Sequence, residues 1–171
     1  MKSIFYGSNA TIIDTSGFDT SSVTDMSYMF YNTKTKSIDV SNFNTKNTVN
    51  MEGMFSHSKA TNFNLSGLDT SNTTNISWMF SSTSIPILDI SSFDTSKVTT
   101  MEGMFIDNTS LKTIYVGNKF NISNVTNSTN MFRSCSKLTG GQGTKFDSNY
   151  IDKTYARIDG GTSNPGYFTA K

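Results

Sequence analysis

The chain reads LDISSFDTSKVTTMEGMF over residues 88–105, and near-copies of this phrase fill most of its length. Its closing Met-Phe pair occurs five times, at Met29-Phe30, Met54-Phe55, Met79-Phe80, Met104-Phe105 and Met131-Phe132. The first four pairs follow one another at a constant interval of 25, and the fifth comes two positions later than that interval predicts. A fixed period of this length is typical of a protein built from stacked repeats.

Each repeat unit begins with alternating apolar and polar residues, as in Leu88, Asp89 and Ile90. Alternation with period two predicts a short strand that buries one face. A further apolar residue stands three places earlier, so that Ile85, Leu88 and Ile90 form the L-x-x-L-x-L pattern of leucine-rich repeats.

The segment that leads to the Met-Phe pair carries apolar residues three, three and one places apart, at Val98, Met101, Met104 and Phe105. This spacing predicts one or two helical turns with a single buried face. Residues 94–96, Asp-Thr-Ser, supply side chains that cap a helix start. The sequence therefore predicts a repeat solenoid, leucine-rich-repeat-like, with short parallel strands plus short helical turns in about five coils.

Three segments are predicted within one structural domain. Residues 1–10 form an N-terminal lead-in or cap, residues 11–139 hold the five repeats, and residues 140–171 form a Gly/Pro-rich C-terminal cap. A cap is expected because an open terminal repeat exposes both its core and its strand edge. Such a domain also fits a fragment of a larger protein.

One detail alternates between units. Tyr28 and Trp78 precede the Met-Phe pair in the first and third units, whereas Gly53 and Gly103 hold that place in the second and fourth. A glycine inside a helical turn costs about 1 kcal/mol and leaves room for a large side chain. We therefore expect each ring to lie over the bare backbone of the glycine in a neighbouring unit.

Composition and charge exclude several functions. Ser, Thr and Asn supply 69 of the 171 residues, and 14 basic against 13 acidic residues give a net charge of +1. A neutral chain without a block of like charges is a poor ligand for nucleic acid or a membrane surface, since both draw affinity from clustered Lys and Arg. No apolar run approaches the roughly 20 residues of a membrane helix. We expect no nucleic-acid partner and no membrane insertion by this segment.

The phrase over residues 88–105 resembles the 25-residue repeat of BspA-like leucine-rich-repeat surface proteins, a repeat type also found in mycoplasma surface lipoproteins. Residues 154–169, TYARIDGGTSNPGYFT, resemble the segment that closes many such arrays. The resemblance covers roughly residues 11–169. It implies a bacterial cell-surface or secreted protein of adhesive or host-binding type, with no enzymatic activity. Surface location is implied by the resemblance alone, because we predict neither a signal peptide nor an anchor within these residues.

The outward strand positions form a column that we predict to be a partner-binding sheet face: Asp14, Asp39, Asn64, Asp89 and Tyr115. Stacked strands lie about 4.8 Å apart, and like charges at such a spacing repel. A bound protein, glycan or cation would relieve that repulsion. The alternative is a solvated face on which neighbouring Lys, Ser and Thr side chains relieve the Asp residues.

A second column occupies the corner after each strand: Asp19, Asn44, Asp69, Asp94 and Asn121. Repeated carboxylate and carbonyl oxygens could suggest calcium. Two of the five members are Asn, and no corner holds a second acidic residue, so corner hydrogen bonding and helix capping explain the column better. The sequence predicts no metal site and no cofactor.

The chain has one histidine, His57, and one cysteine, Cys135. A catalytic dyad would need a serine or cysteine beside the histidine, and the sequence gives no reason for one. We expect the Cys135 side chain to lie buried beneath a turn, because small side chains hold its place in other units: Thr33, Ser58, Thr83 and Asn108. Residues 140–145, GGQGTK, lack the ending of a phosphate-binding loop. No catalytic residue is predicted.

Two functions stay open on this basis. The first is a non-enzymatic cell-surface repeat module that binds a macromolecular partner, a protein or glycan on a host or neighbouring cell. The second is a structural spacer or self-associating unit of a larger surface protein, with no ligand of its own. Repeat architecture indicates where binding could occur and does not name the partner.

Overall fold

The computed structural model describes residues 1–171. Its strands form where apolar and polar residues alternate in the sequence. The five strands are β1 (Ser37–Asp39), β2 (Asn62–Asn64), β3 (Ile87–Ile90), β4 (Thr113–Val116) and β5 (Phe168–Ala170). They form two small parallel sheets, ordered β1-β2 and β3-β4-β5. Two short 3-10 helices, Lys153–Tyr155 and Gly161–Ser163, lie between β4 and β5 in the chain.

The core is built from the repeated Met-Phe pairs. Both residues of every pair are fully buried. The rings stack in the order Phe5, Phe30, Phe55, Phe80, Phe105 and Phe132, with centroids 5.4 to 6.3 Å apart. The inward strand residues complete one cluster of 34 buried residues. A single unit is too thin to enclose its own apolar face, so each unit depends on contact with its neighbours.

The predicted leucine-rich-repeat-like solenoid, with short helical turns and about five coils, is wrong. The structure is a small β-rich domain with no α-helix, and its strands are divided between two separate sheets. The segments expected to be helical are successive β-turns. In the first unit the N–H groups of Met29, Tyr31 and Thr33 donate to the carbonyl three residues earlier.

The spacing of apolar residues misled the prediction because a series of turns brings every third residue to one side, as a helical turn does. In each unit, two residues with left-handed backbone distinguish a series of β-turns from a helical turn. Tyr28 and Asn32 have φ angles of +57° and +53°, which a right-handed helix excludes. The N–H groups of Met26, Tyr28 and Phe30 consequently donate to carbonyls of the following unit. The backbone N–H groups are therefore satisfied alternately within turns and between units, and not within a helix.

A buried threonine in each of the first four corners joins one unit to the next. Thr70 Oγ1 donates to the carbonyl of Asp94 at 2.9 Å and accepts from the N–H of the same residue at 2.9 Å. The same pair of bonds is made by Thr20, Thr45 and Thr95. In the last unit Ile122 holds the threonine's place, so the column of hydroxyls ends there.

The carboxylate of Asp159 holds the C-terminal segment together through hydrogen bonds. This side chain is 5% exposed and accepts hydrogen bonds from the N–H groups of Gln142, Thr144 and Gly161 at 2.8, 3.0 and 2.9 Å. The hydroxyl of Thr144 donates a fourth bond at 2.6 Å. One carboxylate therefore holds separate segments of irregular backbone together beside β5.

Candidate functional site

The structure divides the predicted partner-binding column between its two sheets. Asp39 and Asn64 are register partners in β1 and β2, and Asp89 and Tyr115 are register partners in β3 and β4. Asp14 precedes β1 and lies in no strand. Tyr115 is half-buried and the other four side chains are exposed. The column is therefore two short pairs with a further carboxylate beside the first.

The acidic members of the column shape the turns that end the strands. Oδ1 of Asp14 accepts the N–H of Ser16 at 2.9 Å, and Oδ1 of Asp39 accepts the N–H of Ser41 at 2.9 Å. Such bonds to the residue two places on define an Asx turn. Hydrogen bonds from these serines lower the pKa of both carboxyl groups, because they favour the charged form. One oxygen of each carboxylate is thus committed to the backbone.

The second oxygens explain how the column tolerates its charge. Asp39 Oδ2 accepts a hydrogen bond from Asn64 Nδ2 at 3.2 Å. Asp89 Oδ2 pairs with Lys171 Nζ, which also lies 5.8 Å from the centroid of the Tyr115 ring. Burial would raise the pKa of Asp89, but the bonds from Lys171 and the residues of its turn outweigh it and lower the pKa. The amide of Asn64 and the ammonium group of Lys171 therefore relieve the repulsion between carboxylates that the sequence predicts.

Two shallow cavities open on this face between neighbouring members of the column. One, of about 260 Å³, lies between Asn64 and Asp89, and its other lining residues are three serines, Phe63 and Leu65. The other, of about 220 Å³, lies between Asp14 and Asp39. Most of the residues that line both cavities are polar, so the cavities offer hydrogen-bonding side chains to a ligand.

Sequence reasoning missed Lys171 and Thr169 on this face. Thr169 lies in β5 and Lys171 directly follows it. Because β5 pairs with β4, Thr169 stands beside Tyr115. The signal in the sequence is weak, because Phe168, Thr169 and Ala170 alternate over only a single short stretch and belong to no repeat.

The side chains of the second column form corner turns. Oδ1 of Asp19, Asp69 and Asp94 accepts the N–H two residues later at 2.9, 2.9 and 3.0 Å. Asn44 and Asn121 do the same at 3.3 and 3.2 Å. No group of three or more His, Cys, Asp or Glu side chains stands close enough to hold a metal ion. Corner hydrogen bonding is confirmed, whereas helix capping is wrong because no helix follows.

His57 contacts a serine, although the sequence gave no reason to expect it. Its Nδ1 lies 2.8 Å from Oγ of the adjacent Ser56. Ser56 is only 2% exposed, and the exposed imidazole packs at a centroid distance of 5.0 Å from Tyr31. No carboxylate hydrogen-bonds to this imidazole, and a nucleophilic serine needs both an oriented base and access to substrate.

Cys135 lies beneath a turn, as predicted. The thiol is fully buried and donates to the carbonyl of Phe105 at 3.0 Å. In earlier units the same place is buried and hydrogen-bonded, for example between Thr83 Oγ1 and Asn108 Oδ1 at 2.7 Å. Burial raises the pKa of Cys135 to about 12, which removes the thiolate that reactive cysteines need.

The fold and the face together define a class: a β-rich repeat protein whose units are joined by backbone and threonine hydrogen bonds. The chain belongs to the family described as "Mycoplasma protein of unknown function, DUF285", whose model matches residues 1–87 and again residues 86–163. No curated protein and no solved structure matches the chain. None of the helices has the length and apolarity needed to cross a membrane.

Proposed function

We propose that this protein is a non-enzymatic cell-surface or secreted repeat module that binds a protein or glycan on a host or neighbouring cell. The observation that carries the proposal is the strand face with its two shallow polar cavities, bordered by Asp14 and Asp39 and by Asn64 and Asp89. Strands hold Asp39, Asn64 and Asp89, and an Asx turn follows Asp14, so these side chains stand in defined positions, which lowers the entropy lost when a partner binds.

The surface location is supported by the sequence resemblance and by the family. Residues 88–105 resemble repeats of bacterial surface proteins, mycoplasma surface lipoproteins among them, and the family description names Mycoplasma. A role without catalysis is supported by the burial of Ser56 and Cys135, the two nucleophilic side chains discussed above. Adhesion is the function that this combination favours.

The test is a binding measurement on glycan arrays and immobilised extracellular-matrix proteins. Asp39→Lys and Asp89→Lys reverse charge on the face, and we expect each to weaken a bound probe at least about tenfold, or 1.4 kcal/mol. Asp19→Lys is the matched control, because Asp19 is also exposed and also closes an Asx turn, but in a corner.

Two outcomes would overturn the proposal. In one, the three variants weaken binding equally, which would mean that the strand face has no special part in recognition. In the other, the unaltered protein binds no glycan and no matrix protein. The second outcome favours a structural spacer or self-associating unit, and sedimentation of the unaltered protein would then distinguish a monomer from an assembly.

A further inference from the structure

A cleft of about 380 Å³ lies away from the strand face, between the last repeat unit and the C-terminal segment. Its walls are mostly apolar and include Phe120 and Ile122 from the last unit and Ile158 and Phe168 from the C-terminal segment. Ile158 is 43% exposed, although it is a large aliphatic side chain. A concave apolar surface of this size is in the range that small ligands and peptide side chains fill.

The cleft exists because no further repeat unit covers the last corner. In each earlier unit the corner is covered by the corner of the next, as the bonds from Thr70 to Asp94 and from Thr95 to Asn121 show. β5 covers β4 and ends at Ala170, and the ring of its Phe168 packs edge-on against Phe120 with centroids 4.9 Å apart, but no further repeat corner follows to bond the turn that contains Phe120. With Ile122 in place of threonine, the floor of the uncovered corner is apolar.

Arg157 is the one charged residue in the wall of the cleft. Its guanidinium is exposed and is held in position by two acceptors, Asn164 Oδ1 at 3.0 Å and the carbonyl of Thr154. A guanidinium has five N–H donors in a fixed plane, so donors are left over for a ligand. The charge and the geometry match a carboxylate.

We propose that this cleft binds a peptide segment of a partner protein in which an apolar side chain is followed directly by a carboxylate. The repeats themselves supply the precedent, because the corners that cover the second and third units are Leu68-Asp69-Thr70 and Phe93-Asp94-Thr95. The apolar side chain would pack against Phe120 and Ile122, and the carboxylate would pair with Arg157. The cleft shares no residue with the strand face, so this proposal can be tested independently of the proposed function.

The experiment is fluorescence anisotropy with the labelled peptide Ser-Ser-Phe-Asp-Thr-Ser, which copies residues 91–96. We expect saturable binding to the full chain and at least a tenfold loss with the peptide Ser-Ser-Phe-Asn-Thr-Ser. Arg157→Gln should cause a similar loss, because it removes the partner of the peptide carboxylate. Arg133→Gln is the matched control and should bind as the unaltered protein does, since Arg133 lies outside the cleft and faces Asp107.

Loss of the Arg157 hydrogen bonds to Thr154 and Asn164 could loosen the segment itself, so Ile158→Asp provides a second variant. This side chain is partly exposed, and an added carboxylate in the cleft should repel the acidic peptide. Circular dichroism of each variant confirms that it is folded.

Three outcomes would overturn the proposal: no saturation up to about 1 mM peptide, unchanged affinity in Ile158→Asp, or tighter binding of decanoate than of the peptide. The last outcome would indicate that the ligand is a small amphipathic anion.

Discussion

The ring of Tyr28 lies directly over the backbone of Gly53 in the next unit. A Cβ atom added to Gly53 would stand 2.5 Å from Cε1 of Tyr28. Trp78 covers Gly103 in the same way, with its Nε1 at 2.5 Å from the equivalent position. The contact expected from the alternation of these residues is confirmed. The glycines, however, stand in turns with φ angles of +58° and +54° and not within helices.

Gly53→Ala should destabilise the protein through two effects. The left-handed φ angle costs a residue with a Cβ roughly 1–2 kcal/mol, and the forced displacement of Tyr28 adds about 1–3 kcal/mol. The free energy of unfolding, measured in urea, should fall by their sum. Gly7→Ala separates the effects, because Gly7 has a φ of +67° but nothing within 4 Å of the added Cβ.

A double-mutant cycle isolates the contact between the ring and the added methyl group. In the background of Tyr28→Ala, the substitution Gly53→Ala should cost no more than Gly7→Ala does. The expected coupling energy is at least about 1 kcal/mol. Equal losses for Gly53→Ala and Gly7→Ala in the unaltered background would show that the ring yields without cost.

Thr70→Val should destabilise the protein although the two side chains have nearly the same shape. Thr70 is 1% exposed, and its hydroxyl both donates to and accepts from the backbone of Asp94. Removing it leaves a buried N–H and a carbonyl without this partner, which costs about 1–3 kcal/mol. The change is measured by urea unfolding.

Two variants control for packing at the threonine column. Thr70→Ser keeps the hydroxyl and should lose less than Thr70→Val. Ile122→Thr places a hydroxyl in the last corner, where no further corner exists to bond with it, so it should bring no gain in stability. A stabilising Ile122→Thr would contradict this account of why the column ends there.

Stability should fall in acid through Asp159. Burial alone would raise the pKa of this carboxyl, but the hydrogen bonds from Thr144, Gly161 and Gln142 outweigh it and lower the pKa to about 2, against 3.8 for the free group. A folded-state pKa below the unfolded value means that the contribution is complete well above pH 3.8 and is lost as the pH falls towards 2. The loss amounts to about 2 kcal/mol.

The measurement is the urea midpoint as a function of pH for the unaltered protein and for Asp159→Asn. The variant should be less stable at pH 7 and should lose less stability than the unaltered protein between pH 4 and about pH 2. Asp107→Asn is the control, since its half-exposed carboxylate makes a single ion pair with Arg133 at 3.7 Å. An Asp159→Asn variant with the parent's acid response would rule out this carboxylate as the source.

Cys135 should be unreactive in the folded protein. Its thiol is fully buried, its pKa is raised to about 12, and its hydrogen is donated to the carbonyl of Phe105. Ellman's reagent at pH 8 should therefore react at least about 100-fold more slowly in buffer than in denaturing urea. Rapid labelling without urea would show that the turn above Cys135 opens readily.

Much of the core could be predicted from the sequence because it repeats. Met104 and Phe105 are buried, as are their counterparts in every unit, and β1, β3 and β4 lie where apolar and polar residues alternate. The turns could not be predicted, because a three-residue spacing fits a helix equally well. What excludes the helix is the left-handed backbone at Tyr28 and Asn32. Asn and the glycines at Gly53 and Gly103 favour that conformation, but tyrosine does not, so the signal is not uniform across the units.

The strand face could be predicted only in outline. Period two correctly places Asp39 and Asp89 on the exposed side of their strands. It does not reveal that Lys171, 82 residues beyond Asp89, pairs with that carboxylate. Such a contact depends on where the non-repeating tail packs, and the repeat carries no information about the tail.

The contact between ring and glycine also limits how a gene for such a protein can change in length. Tyr28 and Trp78 stand two units apart, as do Gly53 and Gly103. Duplication of a single unit would set two rings, or two glycines, in adjacent units, so that the rings compete for space or the backbone is left uncovered. Duplication or deletion of a pair of units keeps every ring with its glycine. Within the first four units we therefore expect changes in repeat number to be tolerated in steps of two.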